Sequence, residues 1–318
     1  MSNLSEPVKR ASAHAKRTGK KSRDLNAISP LSNVIFNIAI GLFALSCIFP
    51  FLFIVIISFT DEKTLAINGF KLFPEVWTLD AYRFLMESGQ QMAQSFGVTL
   101  TVTVVGSALT LYLVTTYAYA ISRKNFAQRR FFSFLAFFTM LFSGGLVPSY
   151  IVVTQVLHLR DSIWALILPS IMNAFYIIVM RTFFTTTVPD AVIESAKIDG
   201  ATEFGIYTRI VLPISLPGIA TIGLFSTLGF WNDWFNALLY IDNAKLIPLQ
   251  TLLIRIQNNM DFVVQNSSRV VSYDIASTLP TETVRMAMVV LATLPVALAY
   301  PFFQKYFIQG LTIGSVKE

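Results

Sequence analysis

"VPDAVIESAKIDGATEFGIYTRIVLPISLP", Val188–Pro217, sets a polar helix-turn-helix between two long apolar segments. Pro189 suits a first helical position and Asp190 is favourable near a positive helix end, so a short helix is expected over 189–198. Gly200 can take the left-handed conformation that ends a helix. Thr202 then caps a second helix over 203–211, which Pro213 interrupts. On that second helix Phe204, Tyr207 and Val211 form an apolar-aromatic stripe, and the first carries Val192, Ile193 and Ala196 at similar spacing. Such faces are awkward in water. Spacing alone leaves two readings open: an amphipathic hairpin resting on lipid, or one gripped by a partner outside the membrane.

Hydrophobic residues fill 54% of the 318 positions, with 28 Phe and 13% charged residues, more apolar side chain than a soluble core of this length uses. A hydrocarbon layer about 30 Å thick needs roughly 20 apolar residues per spanning helix. Six runs qualify, at 33–59, 94–122, 131–153, 162–184, 215–240 and 282–307. "FNIAIGLFALSCIFPFLFIVIISF" is apolar on every face, unlike the alternation of spanning strands. The expectation is therefore an all-α protein: a six-helix transmembrane domain over 31–318, with the polar hairpin at 188–213.

Basic loops stay on the cytoplasmic side. Fifteen of the 24 Lys and Arg residues fall on one side: seven before the first span, Arg123, Lys124, Arg129 and Arg130 in the second-to-third loop, Lys197 and Arg209 in the hairpin, and Lys305 and Lys317 near the end. Both termini and the hairpin are thus expected in the cytoplasm. Residues 1–30 are polar and basic without an apolar face, and read as a disordered tail near anionic lipid. The next run is too long for a signal-peptide core, and "ALSC" at Ala44–Cys47 sits mid-run, so it is expected to remain as an anchor. Cys47 is the single cysteine, which excludes an internal disulfide. His14 and His158 are far apart, so no protein metal site is expected. Nor is a nucleic-acid partner. Trp77 and Tyr82 in "FPEVWTLDAYRFL" either sit at headgroup level or support a docking surface, and "RIQNNMDFVVQNSS", Arg255–Ser268, is expected to form a helix and a loop.

"ESAKIDGA", Glu194–Ala201, followed by "RIVLPISLP", Arg209–Pro217, closely resembles the cytoplasmic coupling motif of binding-protein-dependent ABC importer permeases: Glu-Ala-Ala, three residues, then Gly. Ser195 in the middle is a small-for-small departure. The likeness covers roughly 33–318. "FSGGLVPSYIVV", "WALILPSIMNAFYIIVMRTFF", "FWNDWFNALLYI" and "YPFFQKYFIQGLTIGSVKE" are similar to maltose-type carbohydrate permeases, in particular relatives associated with complex oligosaccharides and lipo-oligosaccharides.

The resemblance implies a type I ABC importer permease in a bacterial plasma membrane. It also implies four kinds of partner besides lipid: a second homologous permease, two ATP-binding cassette ATPase subunits, an extracytoplasmic sugar-binding protein, and an oligosaccharide as cargo. The chain has no G-x-x-x-x-G-K-[ST] phosphate loop, so no catalytic residue and no cofactor of its own is expected. ATP and Mg would be held by the ATPase partners. The implied coupling set is Val192, Ile193, Glu194, Ser195, Ala196, Asp199, Gly200, Ala201, Phe204, Leu212 and Pro213. Glu194 would accept charge-assisted hydrogen bonds, and Val192 with Ile193 would supply buried contact.

Pro148, Pro169, Pro295, Pro301 and the pair Gly144 and Gly145 are places where spans can kink. For the sugar path, "GFWNDWFNALLY" as one helix would put Trp231, Trp234 and Phe235 on one face. Trp231, Asn232, Asp233, Trp234 and Asn236 supply rings for stacking and amides for hydroxyls, and Asn173 and Tyr176 add a patch on the fourth span. Asp233 is costly at membrane depth unless paired or wet. Amides also glue helices together and tryptophans anchor at interfaces, so both roles stay open. Two alternatives remain: an ABC permease for a non-sugar solute, and an ion-coupled secondary transporter, against which stand the scarcity of buried acids and the lack of a convincing internal repeat.

Overall fold

The computed structural model describes residues 29–87, 89–265 and 280–314. The expected tail before residue 29, Lys317 and the last part of "RIQNNMDFVVQNSS" lie outside the described residues. The helices in chain order are α1 (Pro30–Ser58), α2 (Glu62–Asn68), α3 (Asp80–Glu87), α4 (Gly89–Ser122), α5 (Arg129–Leu141), α6 (Leu146–Ile151), α7 (Ile163–Ile167), α8 (Ala174–Thr187), α9 (Asp190–Ile198), α10 (Glu203–Ile206), α11 (Leu212–Ile214), α12 (Leu216–Trp231), α13 (Phe235–Tyr240), α14 (Leu249–Gln265) and α15 (Thr281–Gly314). Among the described residues the only β pairing is one bridge, Thr60 to Trp77. The chain divides into two compact units, Met1–Phe53 and Ile54–Glu318. The first is carried by most of α1, whose Phe36, Phe43 and Leu45 are exposed, an arrangement that hydrocarbon tolerates and water does not.

In the second unit α4 is the central rod. Its 34 residues rise about 50 Å, and it packs along α12 and α8. The buried face is unusually small and hydroxylated: Ser95, Thr99, Thr103, Gly106, Ser107 and Thr110. Small side chains let helix backbones approach closely, which is how apolar helices associate when lipid is as greasy as they are. At Gly106 a Cβ would lie 2.7 Å from Cζ of Phe230 on α12; the ring takes the space that a side chain would need.

Three of the six expected spans are not single helices. Among the described residues three helices are long and apolar enough to cross a membrane, α1, α4 and α15, and the count reaches six only if each bent pair is one span. The run at 131–153 breaks at Ser143–Gly145, where Gly145 has φ +87°, and its halves meet at 113°. The run at 162–184 bends by 51° after a 3-10 turn at Leu168–Ser170 that contains Pro169. The run at 215–240 corrects the one-helix expectation most sharply. Helix α12 stops at Trp231, residues 232–234 are not helical, and α13 starts at Phe235, so Trp231 does not share a helix face with Trp234 and Phe235. Two short polar side chains compete with the helix for its backbone partners. Asn232 Nδ2 donates to the Leu228 carbonyl at 3.0 Å, and Asp233 Oδ1 accepts the N–H groups of Phe235 and Asn236, each at 3.1 Å. Pro295 and Pro301, by contrast, lie inside an unbroken α15.

The end of the bundle near the start of α4 is tied by polar contacts. Gln91 Nε2 donates to the Ala244 carbonyl at 2.7 Å, and the Leu249 N–H to Thr99 Oγ1 at 2.8 Å. Arg160 pairs with Asp242, while Asp161 Oδ1 accepts the N–H groups of Asp242 and Asn243 at 2.7 Å each. The Glu62 carboxylate closes the N-terminus of α15 from outside that helix, accepting the N–H of Glu282 at 3.0 Å, the N–H of Thr283 at 2.9 Å and Thr283 Oγ1 at 2.7 Å. Tyr82 hydrogen-bonds Ser58 Oγ at 2.8 Å and packs on Phe59, whereas Trp77 stays exposed.

Two of these ties can be tested directly. Glu62→Ala leaves two helix-terminal donors without that acceptor and should lower stability by about 1–3 kcal/mol, read by thermal unfolding in detergent, with Glu62→Gln losing less. The two N–H donors hold the Asp161 carboxyl below the usual carboxylate range. Because its folded pKa is depressed, its stabilisation is fully present above the ordinary value of about 3.9 and is lost as pH falls through the lowered one. The stability gap between wild type and Asp161→Asn should therefore shrink as the medium is acidified through that window.

Candidate functional site

The polar stretch folds as a bent elbow. Pro189 is the residue before α9 rather than its first helical residue, with Asp190 in the first turn. The helix ends as its sequence requires: the N–H of Gly200 reaches the Lys197 carbonyl at 3.0 Å, that of Ala201 reaches the Ala196 carbonyl at 2.9 Å, and Gly200 has φ +80°. Nothing lies within 4 Å of where its Cβ would be, so glycine is needed for its backbone angle and not for space. Thr202 Oγ1 accepts the Gly205 N–H at 3.1 Å and starts α10. Pro213 does not interrupt the second helical segment, contrary to the expectation from its position. A π turn at Tyr207–Val211 shifts the hydrogen-bond register ahead of the proline, a local adjustment that re-satisfies groups which proline leaves unpaired. The helical path continues to Ile214, and the break falls at Ser215, where the chain turns by 81° into α12.

The elbow's faces are divided between its own chain and solvent. Ile193, Ala196, Ile206, Tyr207 and Val211 are buried in one cluster with Val114 and Ala118 of α4 and Met180 and Phe184 of α8. Ile193 and Ala196 are thus already used inside the chain, and Phe204 leaves the expected stripe, being 69% exposed. Val192, Glu194, Ser195, Asp199, Gly200, Ala201 and Pro213 are exposed and Leu212 is half-buried. Ile198, which sequence reasoning missed, is 86% exposed. Its signal was available: it lies four residues after Glu194 and so shares that helix face. Ser195 Oγ bonds the Ala191 carbonyl at 2.9 Å, so its hydroxyl is satisfied within the helix.

Charged contacts fix the elbow against α4. Lys124 Nζ pairs with Asp190 at 2.6 Å and holds that carboxyl below its usual range. Lys197, in the last turn of α9, pairs with Glu203 in the first turn of α10. The Tyr119 hydroxyl of α4 donates to Glu203 Oε2 at 2.9 Å, and that of Tyr207 pairs with Thr115 at 2.7 Å. Arg123 lies over the Tyr119 ring, 5.1 Å from its centroid. A cleft of about 120 Å³ remains between the elbow and the loop after α4, lined by Arg123, Lys124, Asn125, Asp190, Ile193, Glu194 and Lys197. Glu203, Tyr119 and Lys124 were not singled out by sequence reasoning, because their pairings join positions far apart in the chain.

The second candidate group lies at the broken helices. Asn236 Nδ2 reaches both Asp233 Oδ2 at 2.6 Å and Ser170 Oγ at 3.2 Å, joining the interruption in the fifth run to that in the fourth. Gln250 Nε2 points to Asn232 Oδ1 at 3.4 Å. Asn173 caps α8, its Oδ1 accepting the Phe175 N–H at 2.9 Å. Trp231 is only 5% exposed, its indole N–H donates to the Ala292 carbonyl at 2.9 Å, and its ring meets Phe96 edge-on. Trp234 is exposed. Tyr176 packs on the elbow-end cluster, whereas Trp231 belongs to the cluster at the other end of α4. Asn232, Asp233 and Asn236 with Ser170 and Gln250 thus form one polar group, which does not include Trp231 or Tyr176.

Residues 25–313 match the family described as binding-protein-dependent transport system inner membrane component. Among curated relatives, the polygalacturonan/rhamnogalacturonan transport system permease protein YtcP of Bacillus subtilis is 42% identical over 276 residues, covering 87% of this chain and 94% of the relative. Protein LplC of the same organism is 42% identical over 270 residues, 85% of this chain and 89% of that protein. The arabinooligosaccharides transport system permease protein AraQ of Halalkalibacterium halodurans is 27% identical, with 91% and 98% covered. Among solved structures, a bacterial ABC transporter involved in the import of the acidic polysaccharide alginate superposes with a TM-score of 0.72 at 28% identity, over 87% of this chain and 96% of that one.

The geometry at Gly200 separates strain from crowding. Gly200→Val should cost about 1–3 kcal/mol through its backbone angle, while Gly200→Asn, which tolerates the left-handed region, should cost clearly less. Thermal unfolding of the two purified variants measures the gap.

Proposed function

Since the chain belongs to the family of binding-protein-dependent transport system inner membrane components and is thereby a membrane-embedded permease component of an ABC importer, we propose that it imports an oligosaccharide delivered by an extracytoplasmic sugar-binding protein. The names of the relatives and the structural neighbour support a saccharide cargo, since they specify polygalacturonan/rhamnogalacturonan, arabinooligosaccharides and alginate. A second homologous permease completes the pathway, and two ATPase subunits holding ATP and Mg drive it. Both termini and the elbow face the cytoplasm.

One observation carries the coupling assignment. The elbow buries one face in its own bundle and leaves Glu194 exposed with Ile198 one turn on along the same face, while Val192 and Phe204 are exposed elsewhere on the elbow. A carboxylate sharing a helix face with an exposed isoleucine, on an elbow with further exposed apolar side chains, suits an anchor inserted into a groove: charge-assisted hydrogen bonds supply direction and the apolar side chains supply buried area. Ser195, Asp199, Ala201, Leu212 and Pro213 form the rest of the contact, and Gly200 sets the bend.

At the other end of α4, the polar group of Asn232, Asp233, Asn236 and Ser170 offers hydroxyl-binding chemistry along the path, and exposed Trp234 offers a stacking face. Trp231 stands beside it as a support, and Asn173, which caps α8, and Tyr176, on the elbow-end cluster, would meet a solute only elsewhere along the path. Asp233 is occupied by two N–H groups and an amide, which argues against a carboxylate waiting for a coupling ion. Shifting an inward-outward equilibrium from 1:99 to 99:1 needs about 5.5 kcal/mol of differential binding, and ATP and the loaded sugar carrier share it.

Glu194→Ala in the reconstituted importer should reduce sugar-stimulated ATP hydrolysis and uptake about tenfold or more, the loss of one charge-assisted hydrogen bond. Wild-type values for both would refute the assignment.

A further inference from the structure

We propose that Tyr119 and Glu203 are positioning residues that fasten the elbow to α4, so that a push on α9 is delivered along α4 to the broken fifth run. The inference rests on the coupling role proposed above and adds the route by which movement leaves the elbow.

The Glu203 carboxylate gathers three elements. It begins α10, holds Lys197 at the end of α9 across the bend at Gly200, and accepts the Tyr119 hydroxyl of α4 at 2.9 Å. At the other end of α9, Asp190 is held by Lys124 at 2.6 Å. Helix α9 is therefore pinned at both of its ends, once to the loop that leaves α4 and once, through Glu203, to α4 itself. The Tyr119 ring is further enclosed by Tyr207, with centroids 5.1 Å apart, and by Arg123. The chain's own exit from the elbow into α12 is not collinear with it, turning by 81° at Ser215.

Helix α4 is suited to carry the displacement. It is continuous over 34 residues and contains no proline and no charged side chain. Its other end meets the candidate path: Phe96 packs on Trp231, the residue before the break, Gly106 receives the Phe230 ring, and Thr99 holds the Leu249 N–H. An axial or tilting step at Tyr119 would therefore move the wall that supports Asn232–Trp234. Close-packed helices transmit such steps because interiors rearrange between discrete packings instead of deforming smoothly.

The test uses the full importer in vesicles, with ATPase subunits, second permease and binding protein, supplied with a mixed pool of arabino- and galacturonan oligosaccharides. Tyr119→Phe removes the hydroxyl and leaves the ion pair; Glu203→Gln removes the ion pair with Lys197 and leaves a neutral acceptor for the hydroxyl. Each should keep wild-type subunit ratios on gel filtration and continue to hydrolyse ATP, while sugar taken up per ATP falls about tenfold. A purely structural role would lower the melting temperature and leave that ratio unchanged. Wild-type uptake per ATP in both variants overturns the proposal. So does loss of the ATPase from both complexes, since the contact would then hold the assembly together and not transmit through it. A wild-type complex that retains no ATPase sinks the coupling assignment itself, and this inference with it.

Discussion

The contact between α4 and α12 is the one on which the second unit depends. In hydrocarbon there is little gain from hiding apolar surface, since lipid tails are as apolar as leucine, so helices must associate through shape and short-range attraction. Small residues on α4 meet that demand, and the fit of the Phe230 ring over Gly106 shows how close the approach is. Ser107 and Thr227 add a hydroxyl contact at 3.3 Å across the same interface. With these two helices fixed, α8 packs on the other flank of α4 and the elbow closes beneath them. A bulkier residue on that face of α4 would act on all of these at once.

The sequence made the elbow legible because its signals are local. Glycine and threonine act through their own backbone angles and nearest N–H groups, and the bend at Gly200 with its cap at Thr202 lies where those residue types require, whereas Pro213 did not end the helix because the π turn before it absorbs the lost partner. Hydropathy likewise located α1, α4 and α15, whose apolar runs are uninterrupted. What hydropathy could not register was the difference between an apolar run and a helix. "GFWNDWFNALLY" is apolar enough to span, yet Asn232 and Asp233 take backbone partners for themselves and end the helix. The breaks at Gly145 and at Leu168–Ser170 were marked not by hydropathy but by Gly144–Gly145 and Pro169, which the sequence offers as places to kink. Burial was legible only by face, and only in part: Tyr207 and Val211 turn inward as their spacing suggests, while Phe204, nominally on the same stripe, is exposed at its edge with its ring 6.3 Å from that of Tyr207. Contacts such as Tyr119 with Glu203 join residues 84 positions apart, and no periodicity encodes them.

Breaks and rods divide the bundle into parts with different mechanical duties. A helix with every carbonyl paired along its length resists bending. One interrupted by a glycine with positive φ or by a side chain that caps mid-run has already given up the hydrogen bonds that bending would otherwise cost. The interruptions at Ser143–Gly145, Leu168–Ser170 and Asn232–Trp234 are of the second kind, and two of them are joined by Asn236 and Ser170. The prolines of α15 are not, because that helix remains continuous through both.

Placing polar backbone at membrane depth is tolerated only where it is buried in protein or lines a wet cavity. The interruption at Asn232–Trp234 satisfies its own groups through Asp233, Asn236 and Ser170, so it stands without a bound solute. It nevertheless leaves the Asn236 amide between two side chains, Asp233 and Ser170, and the Asn232 amide oxygen facing a third, Gln250, and not a helix ladder. Side-chain partners can be exchanged for sugar hydroxyls at nearly equal hydrogen-bond count, whereas ladder partners cannot without unwinding a turn. A sugar path at the broken fifth run is therefore proposed on two properties, a backbone whose polar groups are satisfied without a solute and side chains that can change partners.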